Sequence, residues 1–394
     1  MRLSNRVQLI TESATMAVTA RAAQLKREGV DVVTFGAGEP QDFPTPPHVV
    51  EAAQKALSEG WTRYPKPSSG IPLLREAICT KLERDNHLDY TPHQVVVSVG
   101  GKDACYMILH TLINPGEEVI IPVPYWVSYP EMVRLAGGVP VLIHGDPGNG
   151  LRVTPEQIRN AVTERTRVLI LNYPSNPGGH MYDPQQVRAI ADMLADTQVN
   201  VISDEIYDRL VYGQRKFLSF AAAGEDAYHR TVTINSASKA YSMPGWRIGF
   251  AAGPTDVIAA VAKFQSQNTS GAATFTQIAY AAALAGDQSC VDQMCEEFER
   301  RGRYMYERLS ALPGVDCREP EGAFYCFPDV SATFERLGVN SSHTFAAKLL
   351  NEAHVALVPG GAFGMDGHVR LSFAASMDQI EKGLTRLATF LSKT

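Results

Sequence analysis

The sequence predicts an α/β fold, a mostly parallel sheet with helices on both faces, followed by a smaller α+β part. Three observations carry this expectation. Seven short Val/Ile-rich runs recur through the middle of the chain, helical patterns separate most of them, and from about residue 290 a long charged helix leads into shorter elements. Nearly continuous apolar runs suit strands covered on both faces, and strands alternating with helices suit βαβ units.

The strands are expected in "QVVVSVG" (94–100), "EVIIP" (118–122), "VPVLI" (139–143), "RVLILN" (167–172), "VNVIS" (199–203), "TVTIN" (231–235) and "RIGFAA" (247–252). Two of the helices between them announce their starts. Thr154 with Pro155 and Gln157, and Asp183 with Pro184 and Gln186, each offer an N-cap, a proline at the first helical position and a capping-box partner. The long helix is expected in "CVDQMCEEFERRGRYMYERLSAL" (290–312), and no internal repeat or low-complexity linker breaks the series.

Composition narrows the partners. The chain has 394 residues, 45% hydrophobic and 20% charged, enough to bury a large core. A net charge of −6 gives no electrostatic reason to bind nucleic acid or an anionic membrane, so small molecules are the expected partners. The N-terminal "MRLSNRVQLITESAT" lacks a hydrophobic signal core and no run of about 18 apolar residues occurs, which points to a cytoplasmic protein. The six cysteines, Cys79, Cys105, Cys290, Cys295, Cys317 and Cys326, show no CxxC and no histidine at ligand spacing; reduced thiols, without zinc or disulfides, are expected.

In such sheets chemistry collects in the loops at the strands' carboxyl ends. Gly100 and Gly101 in "VGGKDA" would let backbone N–H groups approach an anion at a helix N-terminus, although Gly-Gly there is more often a tight turn. Trp126 in "VPYWVSYP" is either core or a platform for a flat ring. Asn176 in "NYPSNPGG" is either a turn residue or a donor to a phenolate-like oxygen. Asp204 and Glu205 either cap the next helix or, in the case of Asp204, hold a cationic ring nitrogen. Lys239, beside Ser236 and Ser238, is by itself an ordinary surface charge; desolvated at a strand end it would attack a carbonyl to form a Schiff base. Arg247 then suits phosphate oxygens. Anion loop, stacking aromatic, ring-nitrogen carboxylate and nucleophilic lysine, in this order, are the parts needed to hold pyridoxal phosphate.

The same segments, from "LSNRVQLITESATMAV" through "FGAGEP", "YPKPSSGIPLLREAI", "VGGKDA", "PYWVSYPEMVRLAGG", "NYPSNPGG", "SDEIYDRL", "SASKAYSMPGWRIGF" and "EGAFY" to "VPGGAFG" and "HVRLSFA", cover essentially the whole chain. They resemble the class I aminotransferases, fold type I pyridoxal-phosphate enzymes, of the bacterial aspartate aminotransferase branch. The resemblance implies a large cofactor-binding domain at 45–285 with a mostly parallel seven-stranded sheet. A small α+β domain at 286–394 is joined by 1–44, which forms an N-terminal arm and part of the small domain. It implies pyridoxal 5′-phosphate as cofactor and a homodimer with shared active sites. The implied reaction is ping-pong, from an L-amino acid, aspartate first, to a 2-oxo acid, 2-oxoglutarate first.

By resemblance, Lys239 is the Schiff-base lysine and proton shuttle, Asp204 keeps the pyridine nitrogen protonated, and Asn176 and Tyr207 hydrogen-bond the ring's 3′ oxygen. Trp126 stacks on the ring. Gly101, Lys102, Ser236, Ser238 and Arg247 hold the phosphate, with Tyr64 reaching in from a neighbouring subunit. Arg370, helped by Asn176, Trp126 and the backbone of Gly38, grips the substrate α-carboxylate. For the substrate side chain the candidates are His110 and Thr15. The chain departs from the family at Gly178 and Pro244, where threonine is common, and "GEPQDFPTPPHV" (38–49) is one residue longer than the usual pattern. Prephenate, aromatic or alanine aminotransferase, or another pyridoxal-phosphate enzyme, remains an alternative on the same scaffold. A regulator with a DNA-binding domain is disfavoured by motifs that begin near residue 3, and a dehydrogenase by the absence of GxGxxG after the first strand.

Overall fold

All seven expected strands form and join in one sheet. The computed structural model describes residues 1–11 and 14–392. The strands are β1 (Val95–Ser98), β2 (Glu118–Val123), β3 (Val139–His144), β4 (Thr166–Asn172), β5 (Asn200–Asp204), β6 (Thr231–Ser236) and β7 (Gly249–Ala252), in the spatial order β1-β7-β6-β5-β4-β2-β3. Neighbours are parallel except β7, which runs antiparallel to both β1 and β6. The central strands are buried on both faces, as their unbroken Val/Ile runs predict.

The edge strand β3 departs from that expectation. Among the described residues it pairs only with β2, and Val139 and Leu142 are 44% and 41% exposed. Its apolar run reads like a central strand, but sequence alone does not say which strand ends a sheet. Both capping boxes form: Gln157 N–H donates to Thr154 Oγ1 at 3.2 Å and Gln186 N–H to Asp183 Oδ1 at 2.8 Å. Each such cap is worth about 1 kcal/mol relative to alanine.

A second core gathers residues from both ends of the chain. Val33 and Phe35 pack with Phe298, Phe324, Phe345, Leu371 and Phe390, among others. Val33–Thr34 pairs in parallel with Val355–Ala356, and β8 (Tyr325–Cys326), β9 (Val358–Pro359) and β10 (Val369–Ser372) form an antiparallel sheet in the order β9-β10-β8. The long helix spans Ser289–Ser310 and buries Val291, Met294, Phe298, Arg301, Met305 and Leu309, a stripe at three- and four-residue spacing. One member of that apolar stripe is an arginine. Among the described residues no helix is long and apolar enough to cross a membrane.

Candidate active site

The central strands end side by side, so their last residues form one wall of a cavity of about 620 Å³. Asn172 at the end of β4 is the register partner of Asp204 at the end of β5. Its amide donates to the Asp204 carbonyl at 3.0 Å and its Oδ1 accepts the Asn176 N–H at 2.9 Å. Asp204 is buried with its carboxylate lining the cavity, and Tyr129 Oη donates to its Oδ2 at 2.6 Å. Burial pushes this carboxyl up to about 6, partly opposed by the tyrosine's hydrogen bond. Glu205 makes other contacts: Ser203 Oγ, Ser219 Oγ and the Phe220 N–H all donate to its Oε1, at 2.7, 2.8 and 3.1 Å. Of the adjacent carboxylates, Asp204 lines the cavity and Glu205 ties loops together.

After β6, Ser236 starts the short helix Ala237–Ala240 and accepts the Ser238 N–H at 3.4 Å. This turn carries Lys239 into the cavity, where its Nζ donates to the Gly38 carbonyl. Burial lowers the amine to about 8, with Glu39 the leading opposing influence. A lysine in that state is deprotonated in appreciable fraction near neutral pH, as a nucleophile requires.

At the far end of the same wall, Gly100 has φ 86° and precedes the helix Gly101–Leu112. A Cβ at Gly100 would lie 2.8 Å from Arg247 Nη2, so a glycine is what lets this guanidinium cross over the helix N-terminus. Lys102 and Arg247 both line the cavity, and burial and the neighbouring guanidinium lower the Lys102 amine. Lys102 Nζ also sits 4.9 Å from the centre of the Trp126 ring.

The opposite wall comes from the chain ends. Arg370 on β10 is 2% exposed; its Nη1 donates to Asn176 Oδ1 and its Nη2 to the Gly36 carbonyl, both at 2.9 Å. The guanidinium carbon lies 4.5 Å from the Tyr325 ring centre and 5.1 Å from that of Phe363. Tyr325 Oη is in turn 2.9 Å from Tyr207 Oη.

These residues fit pyridoxal phosphate. Lys102 and Arg247 place two cations at a helix N-terminus, a setting for phosphate. Asp204 is a buried carboxyl whose charged form a pyridinium would stabilise, and Trp126 offers a ring face. Among the described residues Arg370 Nε is buried without a hydrogen-bond partner, leaving capacity for a substrate carboxylate.

The cavity brings together Gly38, Gly101, Lys102, Trp126, Asn176, Asp204, Tyr207, Ser236, Ser238, Lys239, Arg247 and Arg370, with Thr15 at its edge. Tyr64 is 81% exposed and does not line it. His110 is a correction. Its ring packs 4.3 Å from Tyr106 and 5.5 Å from Phe264 and faces a separate surface groove. Eight helical residues beyond Lys102 carry it about 12 Å along the axis, out of reach. Asn172, Tyr129 and Tyr325 are additions that no motif assigned; Tyr129 lies inside "PYWVSYP", where Trp126 alone has a role, and Tyr325 inside "EGAFY", where no residue has one. Gly178 has a local cause, since a Cβ there would lie 2.3 Å from His180 Nδ1.

Comparison with known proteins agrees with this geometry. The family described as aminotransferase class I and II matches residues 30–387. The aspartate aminotransferase of Geobacillus stearothermophilus is 46% identical over 391 residues, covering 99% of both chains. The aspartate/prephenate aminotransferase of Thermus thermophilus is 44% identical over 99% of both. The crystal structure of the aspartate aminotransferase from Rhizobium meliloti superposes with TM-score 0.95 at 39% identity over 99% of both chains. The Thermus thermophilus aspartate aminotransferase solved with maleate gives 0.92 at 43% identity, over 99% of this chain and all of that one.

Proposed function

We propose, from the premise that this chain belongs to the class I and II aminotransferases and is a pyridoxal-phosphate-dependent enzyme, that it transfers the amino group of L-aspartate to 2-oxoglutarate. The observation that carries the reading is one cavity holding a nucleophilic lysine, a buried carboxylate and three cations, Lys102, Arg247 and Arg370. Two of the cations suit the cofactor's phosphate and the third the substrate's α-carboxylate.

When bound, pyridoxal phosphate supplies a conjugated ring that accepts the electron pair left at the substrate's α-carbon. Arg247, Ser236, Ser238, Gly101 and Lys102 hold its phosphate, and Trp126 covers one ring face. Tyr64 from a second copy completes the phosphate site. Asp204 keeps a proton on the ring nitrogen, with Tyr129 fixing the carboxylate's orientation. Asn176 and Tyr207 hydrogen-bond the ring's 3′ oxygen. Arg370 orients the amino acid by its α-carboxylate, with Asn176, Trp126 and the Gly38 backbone beside it. Lys239 Nζ would hold the cofactor through its amine and would be the base placed to move the proton at the substrate's α-carbon. The amino acid leaves as its 2-oxo acid, and a second 2-oxo acid takes the amino group in a ping-pong cycle.

Aspartate is favoured because relatives at 46%, 43% and 42% identity carry that name. A Thermus relative was solved with maleate, a dicarboxylate. Prephenate is the second reading, since other relatives are named for both substrates. We also propose a homodimer, supported by the exposed Trp61 and Tyr64, and a three-part division at 1–44, 45–285 and 286–394, supported by the core shared between Val33, Phe35 and the C-terminal third. A cytoplasmic location is also proposed, supported by the free cysteines, and is tested by cell fractionation. The deciding experiment mixes cofactor-loaded enzyme with one amino acid at a time, without an oxo acid, and reads the change in cofactor absorbance. Aspartate and glutamate are expected to outrank alanine and phenylalanine as donors; a preference for phenylalanine or alanine as donor, or for prephenate over 2-oxoglutarate as acceptor, overturns the substrate assignment and leaves the cofactor reading standing.

A further inference from the structure

We propose that Arg301 is a positioning residue for substrate binding, acting through Asp42 on the loop from Gly36 to Thr45. The proposal rests on the aminotransferase reading of the cavity and adds to it a residue outside the cavity.

The loop is the segment "GAGEPQDFPT", which contains the extra residue of the 38–49 stretch. It supplies much of the substrate wall: the Gly36 carbonyl accepts Arg370, the Gly38 carbonyl accepts Lys239, and Glu39 and Gln41 line the cavity. A loop of this composition needs something to hold its height above the site. Two anchors are backbone contacts or small side chains: Gln41 N–H donates to the Ala374 carbonyl at 3.2 Å, and Thr45 Oγ1 donates to the Ser242 carbonyl and accepts Trp246 Nε1, both at 3.0 Å.

The third anchor is the arginine in the buried stripe of helix Ser289–Ser310. Arg301 is 6% exposed, and its two terminal nitrogens fork onto Asp42, Nη1 to Oδ1 at 3.0 Å and Nη2 to Oδ2 at 2.6 Å. Its Nη1 also donates to the Ala375 carbonyl at 2.5 Å and its Nε to Glu297 Oε1 at 2.7 Å. The guanidinium carbon lies 5.3 Å from the Phe43 ring centre and 5.9 Å from that of Phe298. The two rings touch each other edge to face, 5.2 Å between centres, and the guanidinium lies against the pair; a planar fork so packed, with a partner for each of its three nitrogens, is held in one geometry. A hydrophobic residue would serve the helix stripe better, so the arginine's place there is explained by what it holds. It grips both substrate-side strands of backbone at once, the loop at Asp42 and the segment after β10 at Ala375, five residues beyond Arg370. The distance between the Gly36–Gly38 carbonyls and the Arg370 guanidinium is therefore set in part from behind, by Arg301.

The test uses cofactor-loaded enzyme as wild type, Arg301→Lys, Asp42→Asn and the double variant. Arg301→Lys keeps the charge and loses the fork. It is expected to weaken binding of maleate, read without turnover from the cofactor's absorbance, about tenfold, and to raise KM for amino acid and oxo acid by a similar factor with kcat changed less than about twofold. The double variant is expected to be no worse than the weaker single one, because both substitutions break the same contact. Should Arg301→Lys fail to fold, Asp42→Asn carries the test, since that side chain is 30% exposed and nearly unchanged in size. Maleate affinity and KM equal to wild type, with only a lower melting temperature, would make the pair purely structural and overturn the proposal. Additive losses in the double variant would overturn it as well. A wild type that binds cofactor yet transaminates no amino acid would remove the reading beneath the proposal, an outcome visible before any variant is made.

Discussion

On the sheet side of the cavity, Asn172, Asp204 and Ser236 are the last residues of three adjacent strands, and backbone register alone puts Asn172 opposite Asp204. On the chain-end side, Arg370 reaches the Gly36 carbonyl across 334 positions, and the wall exists only because two chain termini share one core. The first wall is assembled by ladder hydrogen bonds common to any parallel sheet. The second depends on particular side chains, Arg370 on Tyr325 and Arg301 on Asp42, seated in tight surroundings. Changes on the sheet side should therefore strike the chemical step while leaving the site assembled. Changes on the chain-end side should strike substrate affinity, because they alter where the wall stands.

Lys239→Ala is expected to be the largest break. Turnover should fall by at least about 10⁴ while cofactor still binds non-covalently, so that borohydride no longer fixes it to the chain. Full borohydride labelling of this variant would refute the lysine assignment. Next comes Asp204→Asn, with turnover lower by about 10²–10³ at near-normal KM; near-normal turnover would remove Asp204 from the chemistry. The chain-end counterpart is Arg370→Lys, which keeps the charge and loses the fork. Amino and oxo acids should bind worse by about 1.5–3 kcal/mol with cofactor affinity unmoved. If cofactor affinity falls equally, the two walls are not separable and the comparison fails.

The smallest effect sharpens the sheet side. Burial raises the Asp204 carboxyl above its ordinary 3.8 to about 6, so in the cofactor-free chain its contribution to stability is greatest below pH 3.8 and declines as the pH rises to about 6. The Tyr129 hydrogen bond moderates that decline by favouring the charged form. Tyr129→Phe should deepen the loss between pH 4.5 and 7 by about 1 kcal/mol, measured by urea unfolding of the cofactor-free chain at both pH values. Parallel losses in variant and wild type would mean that this hydrogen bond does not tune the carboxyl.

Periodicity and end signals already determine a good deal of this protein. All seven strands, both capping boxes and the long helix follow from local patterns, because a strand's apolar run and a helix's N-cap act within a few residues. Most sheet-side site residues, Asp204 and Ser236 among them, were legible for the same reason: each sits at the end of a recognisable strand or in the loop directly after it, whereas Asn172 was not assigned. Their joint identity as a cofactor site came from their order along the chain, since each residue alone has a commoner structural role, and the whole-chain resemblance added the family and the individual roles. Tertiary structure decided the rest. It made β3 an exposed edge, although its sequence reads like a central strand's. It turned His110 outward, because eight residues of helix separate it from Lys102. It brought Tyr129 under Asp204, Tyr325 against Tyr207 and Arg301 behind Asp42. Those contacts join positions 75, 118 and 259 residues apart. A local pattern records the conformation of its own segment; which distant side chain completes a hydrogen bond is settled only when the cores close.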